Sequence, residues 1–122
     1  MNQLKIVKEL EQQYPGKRIF KNNELSPSEI LCEIEPTNDH PDYSVAIAVI
    51  DHSIPHFHKY IKEIYEIIKG NLELHVEDQI IKLKPGDTYT IKPRTTHFAL
   101  GHETWVRTTA HPGWTQSDHH IE

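Results

Sequence analysis

Apolar residues recur along this chain with two different periods. In residues 3–14, Leu4, Val7, Leu10 and Tyr14 return at helical spacing with charged residues between them. That pattern predicts a short N-terminal helix, ended by Pro15-Gly16 and lying on the outside of a sheet. From Glu29 the period drops to two. EILCEIE sets Ile30, Cys32 and Ile34 against Glu29, Glu33 and Glu35, while YSVAIAVI sets Tyr43, Val45, Ile47 and Val49 against smaller residues. NLELHVED places Leu72, Leu74 and Val76 opposite Glu73, His75 and Glu77. Successive side chains of a strand point to opposite faces, so each segment predicts a strand, and NLELHVED predicts a half-exposed one with its apolar side inward. A turn at Asp78-Gln79, a return strand QIIKLK, a turn at Pro85-Gly86-Asp87 and the strands TYTIK and TWVRTTA follow. Short strands with turns between them predict an all-β fold, a small antiparallel β-barrel or sandwich carrying one helix. Residues 1–28 read as the helix and a connecting segment, and residues 29–122 as a single β-barrel domain.

With 122 residues, the chain suits one core. A formal charge of −5 argues against nucleic acid or an anionic membrane as partner, because both are bound through basic surface. No stretch approaches the ~20 apolar residues needed to cross a bilayer. The single Cys32 has no internal disulfide partner, and Lys5, Lys8, Glu9 and Glu11 interrupt any apolar run near the start. A reducing, cytoplasmic location is therefore expected.

The candidate chemistry lies in IPHFHKYIKEIYEIIKG and PGDTYTIKPRTTH. His56 and His58 are two apart and share a strand face. Glu63 stands an odd number of positions beyond His58, so KYIK must bend for Glu63 to begin a new inward-facing strand with Tyr65 and Ile67. His97 arrives from another strand. Three imidazoles and one carboxylate suit a divalent Fe, Mn, Ni, Co or Zn ion, and leave two positions of an octahedral ion open for water or substrate. Glu63 could also act as a base. Tyr65 and Tyr89 share the inward parity, and Tyr65 is the candidate hydroxyl donor to substrate. His75 has the outward parity. Trp105, Arg107 and Thr109 share a face that serves a pocket or a partner contact, with an exposed, ion-paired Arg107 expected. The final HPGWTQSDHHIE is turn-rich and reads as a flexible tail, the alternative being a cover over the barrel mouth anchored by Trp114.

These residues resemble the cupin superfamily. Its first motif, G-x5-H-x-H-x3,4-E-x6-G, is matched by His56, His58, Glu63 and Gly70, with Ile50 in place of the leading glycine. Its second, G-x5-P-x-G-x2-H-x3-N, is matched by Gly86 and His97, while Lys92, Arg94 and Gly101 replace the proline, the second glycine and the asparagine. The resemblance implies a cupin-type jelly roll, metal ligation by His56, His58, Glu63 and His97, and a homodimer. Cupins include dioxygenases, isomerases, lyases and non-catalytic binders, so the fold does not name the reaction. The expected ligand is a small polar organic molecule. Dioxygenase-like chemistry, isomerase or lyase chemistry, and simple binding of a sugar or small acid are the readings that follow.

Overall fold

The computed structural model describes all 122 residues. It opens with helix α1 (Gln3–Gln13), followed by ten strands: β1 (Arg18–Lys21), β2 (Glu29–Glu35), β3 (Ser44–His52), β4 (His56–Phe57), β5 (Lys62–Lys69), β6 (Leu72–Val76), β7 (Gln79–Leu83), β8 (Thr88–Ile91), β9 (His97–His111) and β10 (His120–Ile121). All pairings are antiparallel, and the curled sheet forms the expected jelly-roll barrel. No helix is long and apolar enough to cross a membrane.

The fifteen-residue β9 holds the barrel together. Its later part, residues 104–111, lies between β3 and β5. Its earlier part, residues 97–101, pairs with β6 and, at His97, with β4. One strand therefore pairs along two parts of the curled sheet and must bend between them. The bend falls at Gly101 and Glu103, where Glu103 takes a positive φ of 49°. A Cβ at Gly101 would stand 2.5 Å from Thr104 Oγ1 and 2.9 Å from the Ile50 carbonyl, so the corner admits no side chain.

Two apolar layers form on the two faces of the sheet. Ala48, Ile50, Tyr65, Ile67, Leu74 and Val106 belong to the barrel interior. Ile6 and Leu10 of α1 cover Ile30, Cys32, Ile47, Val49 and Trp105 on the outer face. Each buried methylene contributes about 0.8 kcal/mol, so both layers stabilise the fold. The helix lies outside the sheet as its pattern predicts, but its buried face is rotated: Ile6 is covered while Leu4 is 84% exposed. Strand β3 is buried on both faces over Ile47–Ile50, because the helix covers the side that would otherwise meet water. That same helix layer takes Trp105, which is therefore buried under α1 and does not line the barrel cavity. Arg107 is exposed and pairs with Glu66 at 3.1 Å, as expected.

Three local differences have physical causes. The turn between β6 and β7 sits at Glu77-Asp78, one residue earlier than the polar pair suggested, because Glu77 adopts a positive φ of 55°. Residues 18–21, within the supposed connecting segment, pair with β2 and extend the sheet. The last segment is no loose tail. β10 pairs with β4, and the Asp118 carboxylate accepts from the backbone N–H groups of Lys59, Tyr60 and Ile61 at 2.9, 3.0 and 3.2 Å. Its hold on the chain is a side-chain acceptor meeting three otherwise orphaned donors, which composition does not reveal.

Candidate metal centre

Three separate strand ends bring the site together. His56 lies on β4 directly opposite His97 at the start of β9. Glu63 is the second residue of β5, registered with Ala110 of β9 and Ile91 of β8. Between them, residues 59–61 bend around the Asp118 carboxylate, which corrects the parity of Glu63 as the odd spacing demanded. Arg94 occupies the motif's second glycine position with a φ of 65°, and its N–H donates to the His58 carbonyl. The left-handed turn thus survives without glycine, at a strain cost of about 1–2 kcal/mol.

His56, His58, Glu63 and His97 are all buried, at 7%, 3%, 8% and 1% exposure, and one ligand atom from each lies within 4.8 Å of the others. Nδ1 of His56, His58 and His97 faces the carbonyls of Ile54, Asp118 and Thr95 at 2.8, 2.9 and 2.9 Å. A carbonyl only accepts, so each Nδ1 carries the proton and each Nε2 presents a lone pair. Those lone pairs meet a carboxylate: Glu63 Oε1 is 2.9 Å from His58 Nε2 and 3.4 Å from His97 Nε2. The distances suit hydrogen bonds but the directions do not, and all three atoms are buried without a properly aligned partner. Acceptors crowded together away from water are costly unless a cation stands among them. Two neighbouring ligands at about 2.1 Å from one ion would lie about 3 Å apart, so the donor set fits a divalent transition metal.

The electrostatics agree with that geometry. Burial pushes the Glu63 carboxyl upward, but His58 and His97 outweigh it and hold the group well below the usual carboxylate range. Burial, and then the charge of His97, lowers His56 to about 4, keeping it neutral. For His58, burial works downward but the Glu63 carboxylate outweighs it, so the metal-free ring sits above the ordinary histidine value.

A cavity of about 620 Å³ opens onto His56, His58 and Glu63, with Glu29 on the β2 wall and Trp114 near the C-terminal segment. Tyr65 is 6% exposed, lines this cavity and donates its hydroxyl to no protein group. Burial, and then the Glu63 and Glu29 charges, raise that hydroxyl well above its usual value, so it stays protonated. Tyr89 packs against the interior layer instead. His75 stacks on Phe98 at 4.3 Å, away from the centre. A wider groove of about 950 Å³, bordered by Asp51, Asn71, Lys82 and His102, contains none of the four clustered residues.

Two contributors escaped the sequence reading. His119 stacks on His56 with ring centroids 4.7 Å apart and also borders the cavity. Asp118 supplies the carbonyl that orients His58. Three histidines in the last twelve residues were the available signal, but nothing in the spacing said that this segment returns to the barrel mouth.

Comparison with known proteins gives a consistent picture. The family model for the cupin domain matches residues 44–103. No curated protein matches the sequence well enough to count as a relative. Among solved structures, Pac13 of Streptomyces, described as a unique nucleoside dehydratase, superposes with a TM-score of 0.78 at 14% identity, over 89% of this chain and 87% of its own. KdgF from Halomonas sp. gives a TM-score of 0.65 at 22% identity, over 74% and 85%. A predicted oxalate decarboxylase of Thermotoga maritima gives 0.67 at 15%, over 79% and 91%. At these identities the likeness carries the fold alone, and the motif residues carry the family. With the jelly roll, the matched domain and four convergent side chains of a kind that could hold a metal together, the chain belongs to the cupin superfamily.

Proposed function

We propose that this protein is a mononuclear metal-dependent enzyme acting on a small polar organic molecule held in the 620 Å³ cavity. The observation that carries the reading is the set of three buried imidazoles, each held at Nδ1 by a backbone carbonyl, that converge with Glu63 beside the cavity. His56, His58, Glu63 and His97 would hold one Fe, Mn, Ni, Co or Zn ion. Such an ion supplies Lewis acidity toward a substrate carbonyl or hydroxyl, and redox-active members of the set also open dioxygen chemistry. The protein's own contribution is positional. Tyr65 offers a protonated hydroxyl at the cavity wall, suited to donate to a substrate oxygen, and Glu63 sets the charge of the site. The C-terminal segment closes one side and excludes water. A free hydroxyl donor beside the ligands supports isomerase or lyase chemistry first, with oxygenase chemistry as the second reading. A homodimer in a reducing cytoplasm, with no nucleic-acid partner, completes the proposal.

Protein purified without added metal should contain about one equivalent of transition metal per chain. His58→Ala should lose most of it, whereas His75→Ala should keep it. A wild-type protein that is empty and takes up none of the five metals sinks the reading. Oxygen consumption over diketones, thiols and aromatic diols separates the two chemistries, and Tyr65→Phe should lower turnover while leaving metal content unchanged.

A further inference from the structure

The walls of the cavity carry an unbalanced charge. Strand β2 turns Glu29, Glu33 and Glu35 toward it, and Glu63 lies at the floor. Lys21 is the only lysine or arginine on the lining, and it already faces Glu24 at 3.9 Å. Glu35 is occupied by His40 and Tyr43, at 3.2 and 3.1 Å. Glu29 and Glu33 meet no such partner, so two carboxylates face the cavity unspent. Acidic residues alone do not make a site. Here, however, Glu63 Oε1 and His58 Nε2 border the same cavity, more than nine-tenths buried and without an aligned partner.

We infer that this cavity selects a neutral or cationic ligand presenting hydroxyl or ammonium donors to Glu29 and Glu33, and disfavours carboxylates and phosphates. The inference rests on the reading of this cavity as the substrate site. A divalent ion with Glu63 carries one net positive charge. With Glu29 ionised, the three carboxylates of Glu29, Glu33 and Glu35 against Lys21 then leave the whole lining one charge negative, and the excess sits on the wall that a bound molecule must face. In a partly enclosed space, screening by water is weak enough for that sign to count. A hydroxyl or ammonium group satisfies carboxylates directly, whereas an anion leaves them unpaired beside a like charge. Burial, and then the Glu63 charge, pushes the Glu29 carboxyl up to about 7, and an ammonium bound there would draw it back toward the ionised form. Phe20, Tyr65 and Trp114 add aromatic surface that suits a cation or an alkyl stem.

The test uses three four-carbon probes that differ in charge at one end: 1,4-butanediol, 4-amino-1-butanol and 4-hydroxybutyrate. Dissociation constants come from saturation-transfer NMR titrations on the purified full chain, with metal content measured on the same samples. The diol and the amino alcohol should bind at least about tenfold more tightly than the hydroxy acid. In a Glu29→Gln/Glu33→Gln double variant, checked for fold by circular dichroism, the hydroxy acid should gain about tenfold and the amino alcohol should weaken. Equal or tighter binding of the hydroxy acid to the wild type, no binding of any probe, or an unchanged ratio in the double variant overturns the inference. Loss of the metal assignment would appear instead in the metal content, so the two failures are distinguishable.

Discussion

Asp118 offers the most direct way to ask whether the C-terminal segment belongs to the site. Its carboxylate accepts three backbone N–H groups from the bend at residues 59–61, and its carbonyl holds the His58 ring. In Asp118→Ala the Ile61 N–H, which is buried, loses its only partner, at a cost of about 1–3 kcal/mol. Lys59 and Tyr60 are exposed, so water replaces much of what their N–H groups lose. The sum is about 2–4 kcal/mol, which for a chain of this size lowers the melting temperature by about 10 °C. Asp118→Asn keeps one carbonyl oxygen and should lose about half as much. Burial works upward on the Asp118 carboxyl, but the three N–H donors and His120 outweigh it and hold the group below its ordinary value. The folded value therefore lies below the unfolded one. Its contribution is present in full above about pH 4 and fades as pH falls through the folded value. The stability gap between wild type and Asp118→Asn should accordingly shrink as pH falls below about 4. Freeing the segment also removes the acceptor that orients His58 Nδ1, so zinc affinity should fall about 10–100-fold in the alanine variant. Thermal unfolding by circular dichroism and a competitive zinc titration measure both effects. If Asp118→Ala melts within about 2 °C of wild type and binds zinc equally well, the segment is not part of the site.

Metal affinity itself should weaken on acidification. The Glu63 carboxylate keeps a proton on His58 to above the ordinary histidine value in the metal-free protein, so the ion must displace it; His56, lowered to about 4, competes only in stronger acid. Each protonated ligand costs about tenfold per pH unit, and an affinity that stays constant from pH 8 to pH 5 would contradict histidine ligation. At the bend of β9, Gly101→Ala forces a methyl against Thr104 and the Ile50 carbonyl. It should destabilise by about 1–3 kcal/mol in urea unfolding, and a neutral result would mean that the corner relaxes freely. Because Arg94 already holds a left-handed conformation, Arg94→Gly should leave zinc affinity within about twofold, whereas a large loss would give the Arg94 side chain a role beyond the turn.

Strand periodicity, the N-terminal helix and the four metal-ligating candidates were all legible in the order of residues. That is because a strand's side chains alternate by covalent geometry, and H-x-H followed by a displaced glutamate implies a bend wherever it occurs. Which residues of α1 are buried, and why β3 is apolar on both faces, depended on the helix meeting the outer sheet, a contact between distant parts of the chain. The convergence of His97 with His56 required β9 to bend around Gly101 and pair with distant strands of the curled sheet. Local pattern also could not show that Asp118 and His119 return to the barrel mouth, since their interactions lie some sixty residues away along the chain. Residue type decided what chemistry was available here, and long-range pairing decided where lone pairs and charges meet, because electrostatic energy depends on distance in space and not on separation in sequence.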